Sequence, residues 1–99
     1  MSRIPELDRR DSIVYAAVLM ARKHGFTEFT RDQVAAEAQC STGCVSKYYD
    51  TTALRHAVLK YAVKVRDWDL MGNLLVGPYA GALRLPKDLR AELARRVAK

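Results

Sequence analysis

At 99 residues the chain has room for one hydrophobic core and not for two ordinary ones. Hydrophobic residues make up 49% and charged residues 28%, a balance that excludes a disordered chain, and no run approaches the roughly 20 apolar residues that span a bilayer. The formal charge of +6 and a pI near 9.6 favour a polyanionic partner, because neutralising phosphates releases their counterions.

The opening stretch MSRIPELDRRDS has no apolar run of signal-peptide type, so a cytoplasmic protein is expected. Pro5-Glu6 can open either a short turn of helix or the start of the first main helix, with proline at an N-terminal position, and Arg3, Arg9 and Arg10 form a basic cluster beside it. The first main helix is predicted from Asp11 to His24, with Ile13, Ala16, Ala17, Met20 and Ala21 facing inward at helical spacing. Gly25 ends it as a left-handed cap, and Lys23 and His24 complement the negative end of its dipole. Phe26 and Phe29 then bracket a loop and are expected to plug the core.

Thr30 is an N-cap candidate, since its hydroxyl can accept a backbone N–H just where an apolar helical pattern resumes. Val34, Ala35 and Ala38 share one face of that second helix. Gln39-Cys40-Ser41 interrupts the pattern, and Ser41 can cap a third helix from Thr42 to about Tyr48. Val45 and Tyr49, four apart, point inward; Thr42, Gly43, Ser46, Lys47 and Tyr48 face outward, with Cys44 at the boundary. The two cysteines lie four apart across a helix start, poorly placed for a disulfide and lacking a second ligand pair at zinc spacing. Cys40 reads as a small core residue; Cys44 is either a base-contacting group or a half-exposed thiol. Two short helices joined by a tight turn, the second exposing hydroxyl, amine and phenol groups, make a helix-turn-helix candidate.

A fourth helix is predicted from Asp50 or Thr51 to about Met71, with Leu54, Val58, Tyr61, Val65 and Trp68 along one stripe. GNLLVGPYAGALRLP follows, too rich in apolar residues for a free linker and too broken by Gly72, Gly77-Pro78 and Gly81 for one helix. A last helix is expected from Pro86 to about Ala98, with Leu89, Leu93 and Val97 on a narrow stripe and Arg90, Arg95, Arg96 and Lys99 outside.

From Asp11 to Val63 this pattern resembles the N-terminal DNA-binding domain of the TetR family of bacterial regulators. The resemblance is carried by Ile13, Ala17 and Met20, the Gly25-Phe26 exit, Thr30, Val34-Ala35, the turn Ala38-Gln39-Cys40-Ser41, Val45, Tyr49 and Leu54, in the family's order. It departs at Gln39, where the family has glycine, at Ser46, where it has a phosphate-contacting tyrosine, and at Thr52, where it has a lysine. The resemblance implies an all-α fold: a three-helix helix-turn-helix head with a long fourth helix over residues 1–71, then a short helical tail over 72–99. It further implies that Arg3, Arg9 and Arg10 lie near the DNA backbone and that Thr30 and Arg31 approach a phosphate at a helix N-terminus, itself an anion site. Thr42, Gly43, Cys44, Ser46, Lys47 and Tyr48 complete the expected DNA-binding set, with Lys47 the leading candidate for guanine or an adjacent phosphate.

The expected function is that of a small repressor on a palindromic operator in double-stranded DNA. The other readings are an architectural or accessory DNA-binding protein of a plasmid or phage, and a protein-interaction module that has lost DNA. No cofactor, metal or small-molecule inducer is expected, because the segment after Met71 is short for the larger ligand-binding domain of that family. No enzymatic activity is expected either: the sequence has no Gly-rich phosphate loop, nucleophile elbow or metal-spaced ligand set. Val65, Trp68, Leu74, Leu75, Tyr79, Leu83, Leu89 and Leu93 exceed what a three-helix head can bury. They predict a homodimer interface, the competing arrangement being a monomer whose final helix packs across Trp68 and Val65.

Overall fold

The computed structural model describes residues 6–98, and side chains from Arg9 to Ala98; Arg3, Pro5 and Lys99 lie outside the described residues. All regular structure among them is helical: α1 (Glu6–His24), α2 (Arg31–Ala38), α3 (Thr42–Tyr48), α4 (Thr51–Val65), α5 (Trp68–Met71), a 3₁₀ turn over Gly72–Leu74, and α6 (Lys87–Val97). None of the helices is long and apolar enough to cross a membrane. The chain divides into two compact units, residues 1–58 and 59–99, with the division inside α4.

In the first unit α2 packs against both α1 and α3. Its core holds Ile13, Ala17, Phe26, Phe29, Val34, Val45, Leu54 and Val58, all at most 5% exposed, and the Phe26 and Phe29 rings meet edge to face with centroids 6.4 Å apart. The short connections follow from local chemistry. Gly25 takes φ +105°, a region that costs a side-chain-bearing residue about 1–2 kcal/mol, and its carbonyl accepts the N–H groups of Glu28 and Phe29. Arg55 on α4 then closes this loop. Its guanidinium donates to the carbonyl oxygens of Phe26 (3.1 Å), Thr27 (3.2 Å) and Phe29 (3.0 Å) and lies 5.0 Å from the Phe29 ring centroid.

Two helix ends share one device. After α2, Gln39 sits in the left-handed region at φ 59°, ψ 45°, with Gln39 N–H on the Ala36 carbonyl and Cys40 N–H on the Ala35 carbonyl. After α4, Arg66 takes φ 57°, with Arg66 N–H on Val63 and Asp67 N–H on Ala62. Both are Schellman closures, which ordinarily use glycine at the left-handed residue. The fourth helix therefore stops at Val65, not near Met71 as the apolar stripe predicts, and Asp67 caps α5 by accepting Leu70 N–H. The buried stripe of α4 also shifts: Leu54, Val58, Leu59 and Ala62 are at most 1% exposed, whereas Val65 is 45% exposed and Tyr61 is half-buried.

Replacing Gln39 with glycine is expected to raise the stability of the first unit by up to about 1 kcal/mol. Relief of about 1–2 kcal/mol of left-handed strain outweighs the roughly 0.5–1 kcal/mol that glycine's extra chain freedom costs. A urea transition checks this; a lower midpoint at unchanged slope would contradict it.

The second unit has its own small core of Leu59, Ala62, Leu70, Met71, Leu74 and Leu93. Here α5, the 3₁₀ turn and α6 pack together. The stretch between the turn and α6 is irregular, as Gly77 and Gly81 at positive φ require, and Gly81 N–H returns to the Leu74 carbonyl at 2.9 Å. Arg96 is exposed on the last helix, as the sequence pattern sets it, and its guanidinium lies 4.3 Å from the Trp68 ring centroid and pairs with Glu92 at 3.0 Å.

Candidate nucleic-acid interface

The site is built on the N-terminal turns of α2 and α3, and each carries its own cap. Thr30 accepts Gln33 N–H at 3.2 Å while the Gln33 side-chain oxygen accepts Thr30 N–H at 2.9 Å, a reciprocal capping box. Ser41 accepts Cys44 N–H at 3.0 Å. Three residues, 39–41, separate the helices.

Two side-chain hydrogen bonds fix α3 against α2. The Arg31 guanidinium donates to the Ser46 hydroxyl at 2.8 Å, and the Thr42 hydroxyl donates to the Asp32 carboxylate. With Val45 fully buried beneath, the orientation of α3 is set by one apolar anchor and two polar ties. Ser46 is thus a hydrogen-bond acceptor for Arg31, and the guanidinium keeps further donors for an anion.

Thr42, Gly43, Ser46 and Lys47 are exposed, while Arg31, Cys44 and Tyr48 are half-buried. At Gly43 an added Cβ would meet only the Ser41 hydroxyl oxygen, at 3.7 Å, so nothing crowds this part of the α3 surface. Tyr48 carries cations from two helices: Arg10 of α1 stands 5.2 Å and Lys47 5.6 Å from its ring centroid, and Arg10 is also 5.8 Å from that of Tyr49. Stacking on the ring face keeps both cations positioned without neutralising them, which assembles a positive platform at the C-terminal end of α3. An open cleft of about 340 Å³ at the other end is lined by Phe29, Thr30, Arg31, Asp32, Thr42, Thr51 and Arg55. Helix N-termini, hydroxyls and Arg31 favour an anion there; Asp32 opposes one.

Cys44 is half-buried, within the boundary position expected of it, but Cys40 takes a different place from the one expected. Cys40 is half-buried, not a core residue. Partial burial pushes its thiol above the ordinary range, the neighbouring Cys44 thiol adds to the shift by hydrogen bonding and charge, and Arg9 pulls the other way. Cys40 is therefore a protonated thiol at neutral pH and a weak nucleophile. No group of three or more His, Cys, Asp or Glu side chains among the described residues is placed to hold a metal ion.

Sequence reasoning named Thr30, Arg31, Thr42, Gly43, Cys44, Ser46, Lys47 and Tyr48; of these Thr30, Arg31 and Thr42 line one cleft, Arg31 is bonded to Ser46 and Lys47 stacks on Tyr48. It missed the Arg31–Ser46 and Asp32–Thr42 ties and the stacking of Arg10 on Tyr48. The signal for the last was present in the basic cluster at residues 9–10 and the Tyr48-Tyr49 pair. Of the residues expected at an interface between copies, Leu74 (4% exposed) and Leu93 (fully buried) are already inside the second unit, and as placed they offer no surface to a partner. Trp68, Leu75, Tyr79, Leu83 and Leu89 are half-buried and Val65 is exposed. No family model, curated protein or solved structure matches the chain.

Proposed function

We propose that this protein is a sequence-specific DNA-binding regulator with a helix-turn-helix head similar to that of TetR-family repressors, in which α3 enters the major groove. The observation that carries the reading is the α3 surface itself. Thr42, Gly43, Ser46 and Lys47 lie open on a short helix held by Val45 and by the two ties to α2, and a B-DNA major groove admits one α-helix. Arg10 and Lys47 around Tyr48 supply positive charge beside it, and Arg31 at the start of α2 is a phosphate contact. Regulation follows most simply from occupying an operator. A homodimer, joined through the partly exposed Val65, Trp68, Leu75, Tyr79, Leu83 and Leu89 of the second unit, would read a palindrome whose half-sites lie about 34 Å apart.

Lys47→Ala tests the placement of α3. The expected result is a loss of about 1–3 kcal/mol that falls on one base position of the preferred site, measured by equilibrium binding to that duplex, its single-base variants and random DNA. An equal loss on all duplexes would make Lys47 a phosphate contact, and no loss on any would remove α3 from the groove.

A further inference from the structure

The +6 charge is distributed unevenly. Residues 1–58 carry eight basic and seven acidic side chains, net +1, and residues 59–99 carry nine and four, net +5. The unit that bears the candidate recognition helix is therefore nearly neutral, and one of its cations, Arg55, is engaged with three carbonyls. Counterion release scales with the number of phosphates neutralised, and the head offers only a few cations beside α3 for this, Arg10, Arg31 and Lys47.

The second unit has the larger net charge. Arg95 and Arg96 share Glu92 at 2.7 and 3.0 Å. Arg84, Lys87 and Arg90 are exposed and make no ion pair among the described residues. Lys87 and Arg90, three apart on α6, lie on one side of the helix, with Ala94 exposed on that same side; Asp88 is turned about 100° away from Lys87. This face has cations and small residues but no aromatic side chain to anchor a protein partner. Phosphate neutralisation needs no such anchor.

We infer that the face of α6 bearing Lys87 and Arg90, together with Arg84 in the segment just before the helix, is a second contact surface that binds the phosphate backbone of duplex DNA without regard to sequence. The inference rests on the DNA-binding reading above and adds to the cations beside α3 a second, sequence-independent electrostatic surface.

The test uses the full chain carrying Arg84→Gln, Lys87→Gln and Arg90→Gln together, with a random-sequence duplex titrated from about 50 to 200 mM salt. At about 0.9 per phosphate contact, the slope of log Kobs against log salt should fall by about 2–3, and affinity at 0.1 M salt should drop on the order of 100-fold. The loss should be the same on a preferred site, and the thermal transition should be unchanged because the three side chains are exposed. A slope within about 0.5 of the unsubstituted protein's would overturn the α6 surface while leaving the α3 reading intact. Equal affinity of the unsubstituted protein for polyglutamate of matched charge would overturn the assignment to DNA phosphates. Failure of the unsubstituted protein to bind any duplex would overturn both.

Discussion

Replacing Arg55 with alanine should destabilise the first unit by about 3 kcal/mol, the largest single effect expected outside its apolar core. One guanidinium satisfies the carbonyls of Phe26, Thr27 and Phe29, two of these bonds being part-buried, and it also covers the Phe29 ring. Hydrogen bonds to a charged donor contribute roughly 1.5–3 kcal/mol each. The three share one side chain that is partly solvated, so their sum is discounted to about the value of one or two. Arg55→Lys should recover less than half of the loss, because a single ammonium on a flexible stem cannot span three carbonyls as the planar fork does. Thermal or urea unfolding followed by circular dichroism provides the measurement. Full recovery with lysine would mean that charge alone, not the fork, closes the loop.

Leu93→Ala should cost about 2–5 kcal/mol in the second unit, and by an amount that does not change with protein concentration. Leu93 is fully buried on α6, in a core that also includes Leu70, Met71 and Leu74, and truncating a buried leucine removes its transfer energy and leaves a cavity. Independence from concentration separates this role from an interface between copies, since stability drawn from association weakens on dilution. A loss that vanished on hundredfold dilution would return Leu93 to the interface.

The parts of the fold legible in the sequence were those with a local chemical cause. Thr30 and Ser41 announce helix starts because a hydroxyl at an N-cap accepts the first free N–H groups, and both are found there. Gly25 announces a helix end because a positive φ favours glycine. Helical spacing placed Ile13, Val34, Val45 and Leu54 in the core, where they are at most 1% exposed. The end of α4 was illegible because its left-handed residue is Arg66, and no side-chain signal distinguishes an arginine in that role from one inside a helix. The only hint was Asp67 ahead of an apolar pair, a cap candidate for α5. Gln39 hides its helix end in the same way, and there the surrounding pattern supplied the turn.

The candidate site was legible as a set of residues but not as a set of bonds. Outward-facing positions on α3 follow from the burial of Val45 alone. The ties from Arg31 to Ser46 and from Asp32 to Thr42 span 15 and 10 residues, and no periodicity reports them. Arg55 was missed for a related reason: its partners are backbone carbonyls, which leave no trace in residue identity. The apolar excess after Val65 predicted a need for burial without saying where, and the packing of α6 against α5 and the 3₁₀ turn meets part of that need inside one chain.

The most direct measurement of the central claim is selection of bound sequences from a pool of random duplex DNA by the purified full chain. The α3 reading predicts enrichment of one motif, an inverted repeat with half-site centres about 34 Å, or one helical turn, apart, and loss of its most constrained base in a parallel selection with Lys47→Ala. A bound pool whose sequences match the input, with no position enriched, would contradict it.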